Sequence, residues 1–453
     1  MTSETVEAVE VALGRFALAR SPVRRVVLAV SGGPDSLALL LAFAGRPPTV
    51  EVCVATVDHR LRPEAAGEAA FVAAVCRELG LPHRTLVWRE GAGATGNLMA
   101  TAREARYGLL VEEAARVGAQ AIVAAHHRDD QIETHLLARE RGASGAALAG
   151  MRPWRDLEPG LVLLRPFLDL PKAALVDAVA RAGLEAIADP GNRDLRFRRA
   201  HLRAELAQER HDLGAIAKAM ADAATLRREV DDAAAETIRR ACGDARLDVD
   251  AAGVAHLRPT TGDVLPWSRL LTGVGGGLHP PPSAAVDRLA ARFAAEGKGV
   301  VTLGGCRVEG GRDGIVFMRE FGRSGPASVA SGTSGPVVFD RRFTISSAPG
   351  RADRRIEALG RLGLGGIPHR TLPVLIGPDG GLLAVHPALS GRFPALPPLA
   401  AIQRIGWRIW ADLPGEPPER LTAQPQNAAN PVKAVGKDLA ATYLRGRVKV
   451  RAP

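Results

Sequence analysis

The first 200 residues alternate short apolar runs with longer stretches of helical periodicity, and this alternation constrains the fold more than any other feature. Alternation of strands with helices predicts an α/β fold with a doubly wound parallel sheet. Four runs are continuously apolar, as strands buried on both faces are, namely Val26–Val30, Val50–Val57, Arg84–Trp88 and Ala121–Ala125. Helices are predicted between them at Leu37–Phe43, Glu64–Leu79 and Leu98–Val117. Ligands of such sheets bind beyond the carboxyl ends of the strands, so we expect the chemistry just after the first, second and fourth runs.

The remaining length predicts further domains. A chain of 453 residues has room for about three domains. We expect a catalytic domain over 1–205, a helical linker with a second domain over 206–323, and a linker with a C-terminal domain over 324–453. The last part begins with Ser324–Gly335, whose small polar residues are typical of a flexible linker.

The charge of the chain favours a polyanionic partner. Lysine and arginine (59) exceed aspartate and glutamate (49), and the net charge is +10, which attracts nucleic acid. The arginine-rich, lysine-poor composition is also typical of a GC-rich genome, so charge alone leaves both explanations open. No basic and apolar leader is seen at the N-terminus, and no apolar run approaches the roughly 18 residues of a membrane span. We therefore expect a cytoplasmic protein with no membrane partner.

The most specific motif follows the first apolar run. It reads Ser31-Gly32-Gly33-Pro34-Asp35-Ser36 and leads directly into a predicted helix. Two glycines let the backbone approach an anion, and a helix N-terminus adds partial positive charge. An ordinary strand-to-helix turn is the alternative, but the whole motif in this setting favours a pyrophosphate-binding loop. The Walker pattern GxxxxGK[ST] is absent from it.

Two further motifs follow the second and fourth runs. Asp58-His59 ends the second, and His126-His127-Arg128-Asp129-Asp130-Gln131-Ile132-Glu133 follows the fourth. Asp129 and Glu133 share a face at the start of a helix, where carboxylates are favoured. These residues alone leave open whether the acids bind cations or merely cap the helix. Two adjacent histidines at a strand end point in opposite directions, which argues against a zinc site.

Ser31–Ser36 resembles the PP-loop of the ATP pyrophosphatases, which cleave ATP to AMP and pyrophosphate and hand an adenylate to an acceptor. Together with the two later motifs, Arg103–Tyr107, Arg165–Phe167 and the segment 189–203, it makes residues 20–205 similar to the family of tRNA(Ile)-lysidine synthetases. Ile367–Pro373 resembles the C-terminal domain of longer members more faintly. The chain departs from the family pattern at 142–145 and at 189–192.

This resemblance implies a fold and a reaction. The fold is the adenine nucleotide alpha hydrolase-like sheet, followed by a helical linker and two smaller tRNA-binding domains. The reaction attaches free L-lysine to C2 of the wobble cytidine of tRNA(Ile) with a CAU anticodon. It passes through an O2-adenylated cytidine and releases AMP and pyrophosphate. The implied cofactors are ATP and Mg²⁺, and the partners are the tRNA(Ile) anticodon region and free lysine, with no obligate protein partner.

The resemblance also implies roles for individual residues. The implied nucleotide-binding residues are Ser31, Gly32, Gly33, Pro34, Asp35, Ser36, Asp58 and His59. The implied catalytic residues are Asp35, Asp129, Asp130, Glu133 and Arg106. The implied Mg²⁺ ligands are Asp35 and Asp130. Which acid holds Mg²⁺ and which holds the ammonium of lysine is left open.

Residues 1–171 contain no lysine, so we expect any side-chain cation over the phosphates to be arginine or histidine, with Arg60, Arg62 and Arg106 available. The basic segments Arg193–Arg203 and Lys433–Arg451 either hold RNA or are solvated surfaces. Two other functions are alternatives to the ligase. A PP-loop tRNA thiolase would commonly carry a CxxC motif, which the four cysteines do not form, and a non-catalytic RNA-binding protein would not turn over ATP.

Overall fold

The structure, a computed structural model, describes residues 3–45, 50–89, 98–187, 198–208, 211–260, 266–331, 336–346 and 353–422. Its helices are α1 Ser3–Ala19, α2 Pro34–Ala44, α3 Ala65–Glu78, α4 Leu98–Val117, α5 Arg128–Glu140, α6 Lys172–Arg181, α7 Arg198–Ala207, α8 Leu213–Gly243, α9 Trp267–Gly275, α10 Ser283–Glu296, α11 Ile405–Trp410 and α12 Glu419–Thr422. Its strands are β1 Arg25–Ala29, β2 Glu51–Asp58, β3 His83–Val87, β4 Ala121–Val123, β5 Trp154–Glu158, β6 Leu161–Leu164, β7 Leu247–Val249, β8 Ala255–Leu257, β9 Gly299–Leu303, β10 Cys306–Gly311, β11 Gly314–Arg319, β12 Val329–Ala330, β13 Val337–Phe339, β14 Phe343–Ser346, β15 Arg355–Ala358, β16 Pro373–Ile376, β17 Leu382–Val385 and β18 Ala400–Gln403. Contacts divide the chain into two compact units, with the boundary after Asp232.

The first unit is built on a six-stranded sheet in the order β3-β2-β1-β4-β6-β5. All neighbouring pairs are parallel except β5 and β6, which pair antiparallel at one edge. The chain moves outward from β1 to β2 and β3 on one side and returns to β4 on the other. The position between β1 and β4 is therefore the topological switch point, where sheets of this kind bind ligands.

Alternate residues of the strands face two separate cores. Val26 and Leu28 of β1 pack with α1, α2 and α6, whereas Val27 packs on the opposite face with α4. The same alternation holds in β4, where Ala121 and Val123 join the first core and Ile122 joins the second. Because both faces are covered, the strands read as continuous apolar runs rather than as alternating ones.

The predicted α/β fold with a mostly parallel, doubly wound sheet is confirmed. The four predicted strands correspond to β1–β4, and the three predicted helices correspond to α2, α3 and α4. The sequence reasoning missed β5 and β6. The strand β5, with the sequence WRDLE, is an edge strand that carries charged residues, so it lacks the apolar signal of the others.

The second unit, from Ala233 onward, contains three antiparallel sheets. A five-stranded sheet has the order β7-β8-β11-β10-β9, a four-stranded sheet the order β12-β15-β16-β17, and a three-stranded sheet the order β13-β14-β18. One hydrophobic core runs from Ala235 to Leu421 and is shared by these sheets and by α9 and α11. The division of this region into a second and a third domain at residue 324 stays a prediction.

The structure describes part of the predicted flexible linker Ser324–Gly335. The part of the proposed linker over 324–331 is not free of structure, because it forms β12, which pairs with β15, and Ser331 is buried. Its residues were too small and polar to reveal that pairing. The segment 189–194 with Arg193, and the tail from Lys433 to Arg451, lie outside the described residues. No helix among the described residues is long and apolar enough to span a membrane.

Candidate active site

The turn Ser31–Ser36 connects β1 to α2 at the switch point. Gly32 has a φ of +87°, and a Cβ built there would lie 2.4 Å from Cδ1 of Ile187. The N–H of Ile187 donates to the Gly32 carbonyl at 3.0 Å, so the segment after α6 covers the turn. Both the left-handed backbone and the close contact require glycine at this position.

The second serine of the turn closes it. Oγ of Ser36 accepts a hydrogen bond from the backbone N–H of Ser31 at 3.1 Å and donates to the Gly33 carbonyl at 3.0 Å. Pro34 occupies the first turn of α2, where its missing N–H removes no helical bond. The result is a short turn that leads into a helix N-terminus, the arrangement that binds phosphate groups.

His127 begins the second wall of the site. It is the N-cap of α5, and the Asp130 carboxylate accepts the backbone N–H of His127 at 3.2 Å. This cap fixes the start of α5 directly after β4. The ring is almost fully buried, so its direction is set by packing as well as by the cap.

Three carboxylates surround the buried His127 ring. Nε2 lies 3.6 Å from Oδ2 of Asp35 and 3.5 Å from Oδ2 of Asp130, and Nδ1 lies 3.5 Å from Oδ2 of Asp129. Burial lowers the pKa of His127, but Asp129, Asp35 and Asp130 together more than offset it and raise the pKa to about 9. The ring is therefore protonated at neutral pH and joins the predicted loop aspartate to the two predicted acids of α5.

Asp129 also joins α5 to α6. Its Oδ2 accepts the backbone N–H of Lys172, the first residue of α6, at 2.9 Å. The hydrogen bond from His127 lowers the pKa of Asp129 to about 2 against the opposing effect of burial. Nearly half of the Asp129 side chain is nevertheless exposed (48%), whereas Asp130 is 13% exposed.

The same contact brings a lysine into the site. Nζ of Lys172 lies 3.8 Å from Oδ2 of Asp35. The expectation that cations beside the loop would be arginine or histidine alone is therefore wrong. The lysine-free stretch ends at residue 171, but the chain returns and places the next residue beside the loop.

Glu133 has a different environment from its two neighbours. It is only 1% exposed, and Nε of Arg203 donates to its Oε1 at 2.5 Å, with Nε of Arg199 3.9 Å from its Oε2. Arg203 also lies 3.5 Å from Oδ1 of Asp130. The arginines come from α7, so α7 is fixed to α5 through a buried acid, and Glu133 is an ion-pair partner in this structure.

The described part of the basic segment Arg193–Arg203 pairs mostly with acids of the protein. Arg198 contacts both Glu140 and Glu205, and Arg203 contacts Glu133. The Arg198 pairs are exposed, whereas the Arg203 pair is with a buried acid. RNA binding by this segment stays a prediction for its remaining residues.

Asp58 and His59 line the other side of the switch point. Oδ1 of Asp58 accepts the N–H of Arg60, whose φ of +51° turns the chain sharply after β2. A cavity of about 410 Å³ lies against Asp58, Arg60 and the following residues, which include Leu61 and Arg62. It lies beyond the end of β2 and is lined by Asp58, one of the predicted nucleotide-binding residues.

A group of buried polar atoms lies around Arg106. Among the described residues, Nδ1 of His59, Nδ1 of His126 and the hydroxyl of Tyr107 are buried with no hydrogen-bond partner. Burial and the Arg106 guanidinium lower the pKa of His59, and burial, Arg165 and Arg106 lower that of His126 well below its usual value. Burial also lowers the pKa of Arg106. Two neutral imidazoles and a guanidinium thus lie in a buried region whose polar atoms lack partners, which a polar, negatively charged ligand would supply.

A single carboxylate oxygen of Asp35 is available to a divalent cation. Oδ1 of Asp35 is buried and has no hydrogen-bond partner among the described residues, and carboxylate oxygen is the ligand type that Mg²⁺ prefers. Both oxygens of Asp130 already have partners. Oδ2 accepts the backbone N–H of His127, and Oδ1 lies 3.5 Å from the Arg203 guanidinium. No cluster of three or more His, Cys, Asp or Glu side chains suited to a metal ion occurs in the described parts of the chain. A cation held by Asp35 thus needs oxygen ligands from a substrate or water.

The cysteines are poorly suited to thiol chemistry. Burial raises the pKa of Cys76 and Cys242 to about 11 and that of Cys306 to about 12, and it raises the pKa of Cys53 as well. Nucleophilic thiols require a lowered pKa. The structure offers no counterpart to the thiol groups that the alternative thiolase function uses.

The structure therefore brings the predicted residues together in two groups. Asp35 of the loop, Asp129 and Asp130 lie within 3.6 Å of the His127 ring, and Arg106 and Asp58 lie near enough to His59 to affect its pKa. Glu133 lies behind the first group, paired with Arg203. Sequence reasoning missed Lys172 and Ile187, and it named Arg203 only within the basic segment Arg193–Arg203, not as the partner of Glu133. Lys172 has a signal in the sequence, since it opens a helix after a proline.

Comparison with known proteins gives a consistent result. The family profile of the PP-loop domain matches residues 6–210. The chain is 50% identical over 239 residues to a tRNA(Ile)-lysidine synthase of Methylobacterium sp. (strain 4-46), covering 51% of this chain and 69% of the relative. It is 42% identical over 298 residues to the tRNA(Ile)-lysidine synthase of Methylobacterium nodulans, covering 62% of this chain and 86% of the relative. It is 38% identical over 362 residues to the tRNA(Ile)-lysidine synthase of Ruegeria pomeroyi, covering 77% of this chain and 83% of the relative.

Proposed function

The chain belongs to the tRNA(Ile)-lysidine synthase family, and we propose that it uses ATP to join free L-lysine to C2 of the wobble cytidine in a tRNA(Ile) with a CAU anticodon. It is a PP-loop ligase that acts on tRNA. The observation that carries the proposal is the meeting of the Ser31–Ser36 turn, Asp129 and Asp130 around one protonated histidine at the switch point. We expect the reaction in the cytoplasm, where tRNA, ATP and lysine occur together.

The turn is assigned to the β- and γ-phosphates of ATP. The start of α2 supplies N–H groups without intrahelical acceptors, and Ser31 and Ser36 supply hydroxyl groups. Lys172 lies close enough to the turn to neutralise phosphate charge. The cavity beside Asp58 and Arg60 takes the adenine end. Charge develops on the leaving pyrophosphate, and donors fixed in advance stabilise that charge best.

Mg²⁺, when bound, would neutralise the triphosphate and polarise the α-phosphorus. Asp35 is the residue assigned to hold it, because its buried Oδ1 has no other partner among the described residues. Asp130 takes part through His127, which it orients. The protonated His127 keeps three carboxylates close together that would otherwise repel one another.

In the first step, O2 of the cytidine attacks the α-phosphorus of ATP, and pyrophosphate leaves. In the second step, the ε-amine of lysine attacks C2 of the adenylated cytidine and displaces AMP, and the proton lost from the amine passes to solvent. Asp129 is assigned to the lysine ammonium because it is ionised and 48% exposed, whereas Glu133 is buried against Arg203. A carboxylate with a pKa of about 2 binds a cation well and accepts a proton poorly, so this role is binding.

The buried polar atoms around Arg106 are assigned to the second substrate. These imidazole and hydroxyl atoms without partners could donate hydrogen bonds to an anionic group, such as the carboxylate of the amino acid or the ribose phosphate of the splayed cytidine. An unpaired base must leave its stack to reach such a site.

The test is incorporation of labelled lysine into transcripts in the presence of ATP and Mg²⁺. An isoleucine tRNA with a CAU anticodon is compared with the CAU methionine tRNA. Label on the first alone, with one AMP released for each lysine, is the expected result. Label on neither, from protein that binds ATP, would overturn the proposal.

A further inference from the structure

A second groove, of about 300 Å³, lies within the second unit. It is formed by the end of β11 with the residues that follow and by the turn that contains Arg370. Four arginines line it, Arg307, Arg319, Arg323 and Arg370, against a single carboxylate, Glu320. The groove therefore carries an excess of positive charge that nothing in the catalytic unit explains.

Two of these arginines are already neutralised. Nε of Arg307 donates to Glu309 at 2.5 Å, and Arg319 forms two bonds to Asp340 at 2.9 and 3.1 Å. Arg323 and Arg370 have no hydrogen bond to a carboxylate among the described residues, and Arg323 is exposed. These two guanidinium groups are free to bind an external anion.

The groove also has a flat wall of stacked side chains. The Arg370 guanidinium lies over the ring of Phe321, with its central carbon 4.3 Å from the ring centroid. The edge of the ring lies against two glycines, since a Cβ at Gly325 or Gly360 would come within 2.5 Å of it. Ile367, on the same lining, is 55% exposed. Stacked guanidinium and aromatic groups are the surfaces on which unpaired bases pack.

We infer that this groove binds an unpaired nucleotide of an RNA strand. Arg323 and Arg370 pair with its phosphate, and the wall of Phe321, Arg370 and Ile367 receives its base. The combination of two unpaired cations with a planar wall favours a nucleotide over an acidic peptide, because aspartate and glutamate side chains carry no aromatic group to stack. The inference rests on the proposed function, since the RNA in question is the tRNA substrate.

The test compares two double variants of the full chain that lose the same charge. In Arg323→Gln with Arg370→Gln, the groove loses both unpaired cations. In Arg288→Gln with Arg292→Gln, two arginines are lost from the exposed face of α10 in the same unit. Binding of a tRNA(Ile) transcript is measured at several salt concentrations. We expect the groove variant to bind about tenfold more weakly and its salt dependence to fall by about one to two counterions, with little change in the control.

Equal weakening in both double variants would overturn the inference, because it would reduce the effect to net charge. A single-stranded oligonucleotide should compete for the wild-type groove better than poly-glutamate of equal charge, and better than free UMP. Equal competition by either would assign the groove to acidic peptides or to mononucleotides instead. Binding of ATP without RNA should be the same in all three proteins, and thermal unfolding checks that the variants fold.

The design separates this inference from the proposed function. If the wild-type protein fails to modify tRNA(Ile) at all, the proposed function fails. If the wild type modifies it and the groove variant binds tRNA as tightly, the inference alone fails.

Discussion

A carboxylate oxygen of Asp129 accepts the backbone N–H of Lys172 at 2.9 Å, so the first turn of α5 holds the first residue of α6. This N–H belongs to the first turn of a helix, where no intrahelical acceptor is available. The side chain of Lys172 is thereby placed beside Asp35 in the Ser31–Ser36 turn. A predicted catalytic acid thus also has a structural role, which links three helix starts at one point.

Substitution of Asp129 by alanine should loosen the start of α6. Loss of a helix cap costs about 1 kcal/mol. Hydrogen exchange in Lys172–Arg181 should therefore be faster in the variant, as measured by mass spectrometry. Asp177→Ala, on the exposed face of the same helix, is the control and should leave exchange at the N-terminal turn unchanged. Unchanged exchange in both variants would show that Asp129 does not hold α6.

The pH dependence of stability should report the charge of His127. Its pKa rises to about 9 in the folded protein from a usual 6.5, against the effect of burial, because of Asp129, Asp35 and Asp130. For a group whose folded pKa is raised, the stabilisation is complete below pH 6.5 and is lost as the pH rises to about 9. The urea midpoint of the wild type should fall across that window more steeply than that of His127→Gln. Parallel curves would contradict a charged His127.

Gly32→Ala should weaken ATP binding at least tenfold. An alanine at a left-handed φ of +87° costs about 1 to 2 kcal/mol, and its Cβ would also meet Ile187 at 2.4 Å. Gly67→Ala in α3 is the control, because a Cβ there meets nothing within 4 Å. Combining Gly32→Ala with Ile187→Ala should recover only the part of the loss that the contact causes. Full recovery would mean that the backbone conformation is not strained.

The sequence predicts those parts of the site that directly follow neighbouring strands. The Ser31–Ser36 turn and the Asp129–Glu133 segment both follow buried strands, and parallel topology brings the ends of β1 and β4 side by side. Alternation and local motifs therefore predict that these residues meet. Lys172 and Arg203 reach the site across 43 and 70 residues, through contacts with Asp129 and Glu133. Such contacts depend on how α6 and α7 pack, which helical periodicity does not specify.

The role of Glu133 also could not be predicted from the sequence. Its spacing from Asp129 predicts a shared helix face, but spacing says nothing of what covers that face. In the structure Arg203 covers it, and Glu133 is 1% exposed while Asp129 is 48% exposed. Two acids with the same local pattern thus differ in role because of one residue in α7.

Arg203→Ala should destabilise the first unit by about 3 kcal/mol, because it leaves the buried Glu133 without its closest partner. Urea unfolding measures the loss. Adding Glu133→Gln to Arg203→Ala should restore part of it, since an unpaired buried charge is then removed. Arg198→Ala removes only exposed pairs with Glu140 and Glu205 and should leave stability nearly unchanged. An equal loss of stability in the two single variants would show that the buried pair stabilises the protein no more than the exposed pairs do.

Lys172→Met should raise the KM for ATP about tenfold or more with a smaller effect on the KM for lysine. The reason is that Lys172 is the lysine beside the phosphate-binding turn, 3.8 Å from Asp35. An ammonium that contacts bound phosphate contributes about 1.5 to 3 kcal/mol as a charge-assisted hydrogen bond. Lys172→Arg should restore most of the affinity, and Lys218→Met, which removes an exposed pair with Asp222, should change neither constant. If Lys172→Met instead lowers the KM for lysine and leaves that for ATP unchanged, the Lys172 ammonium competes with the substrate for the acids and does not bind phosphate.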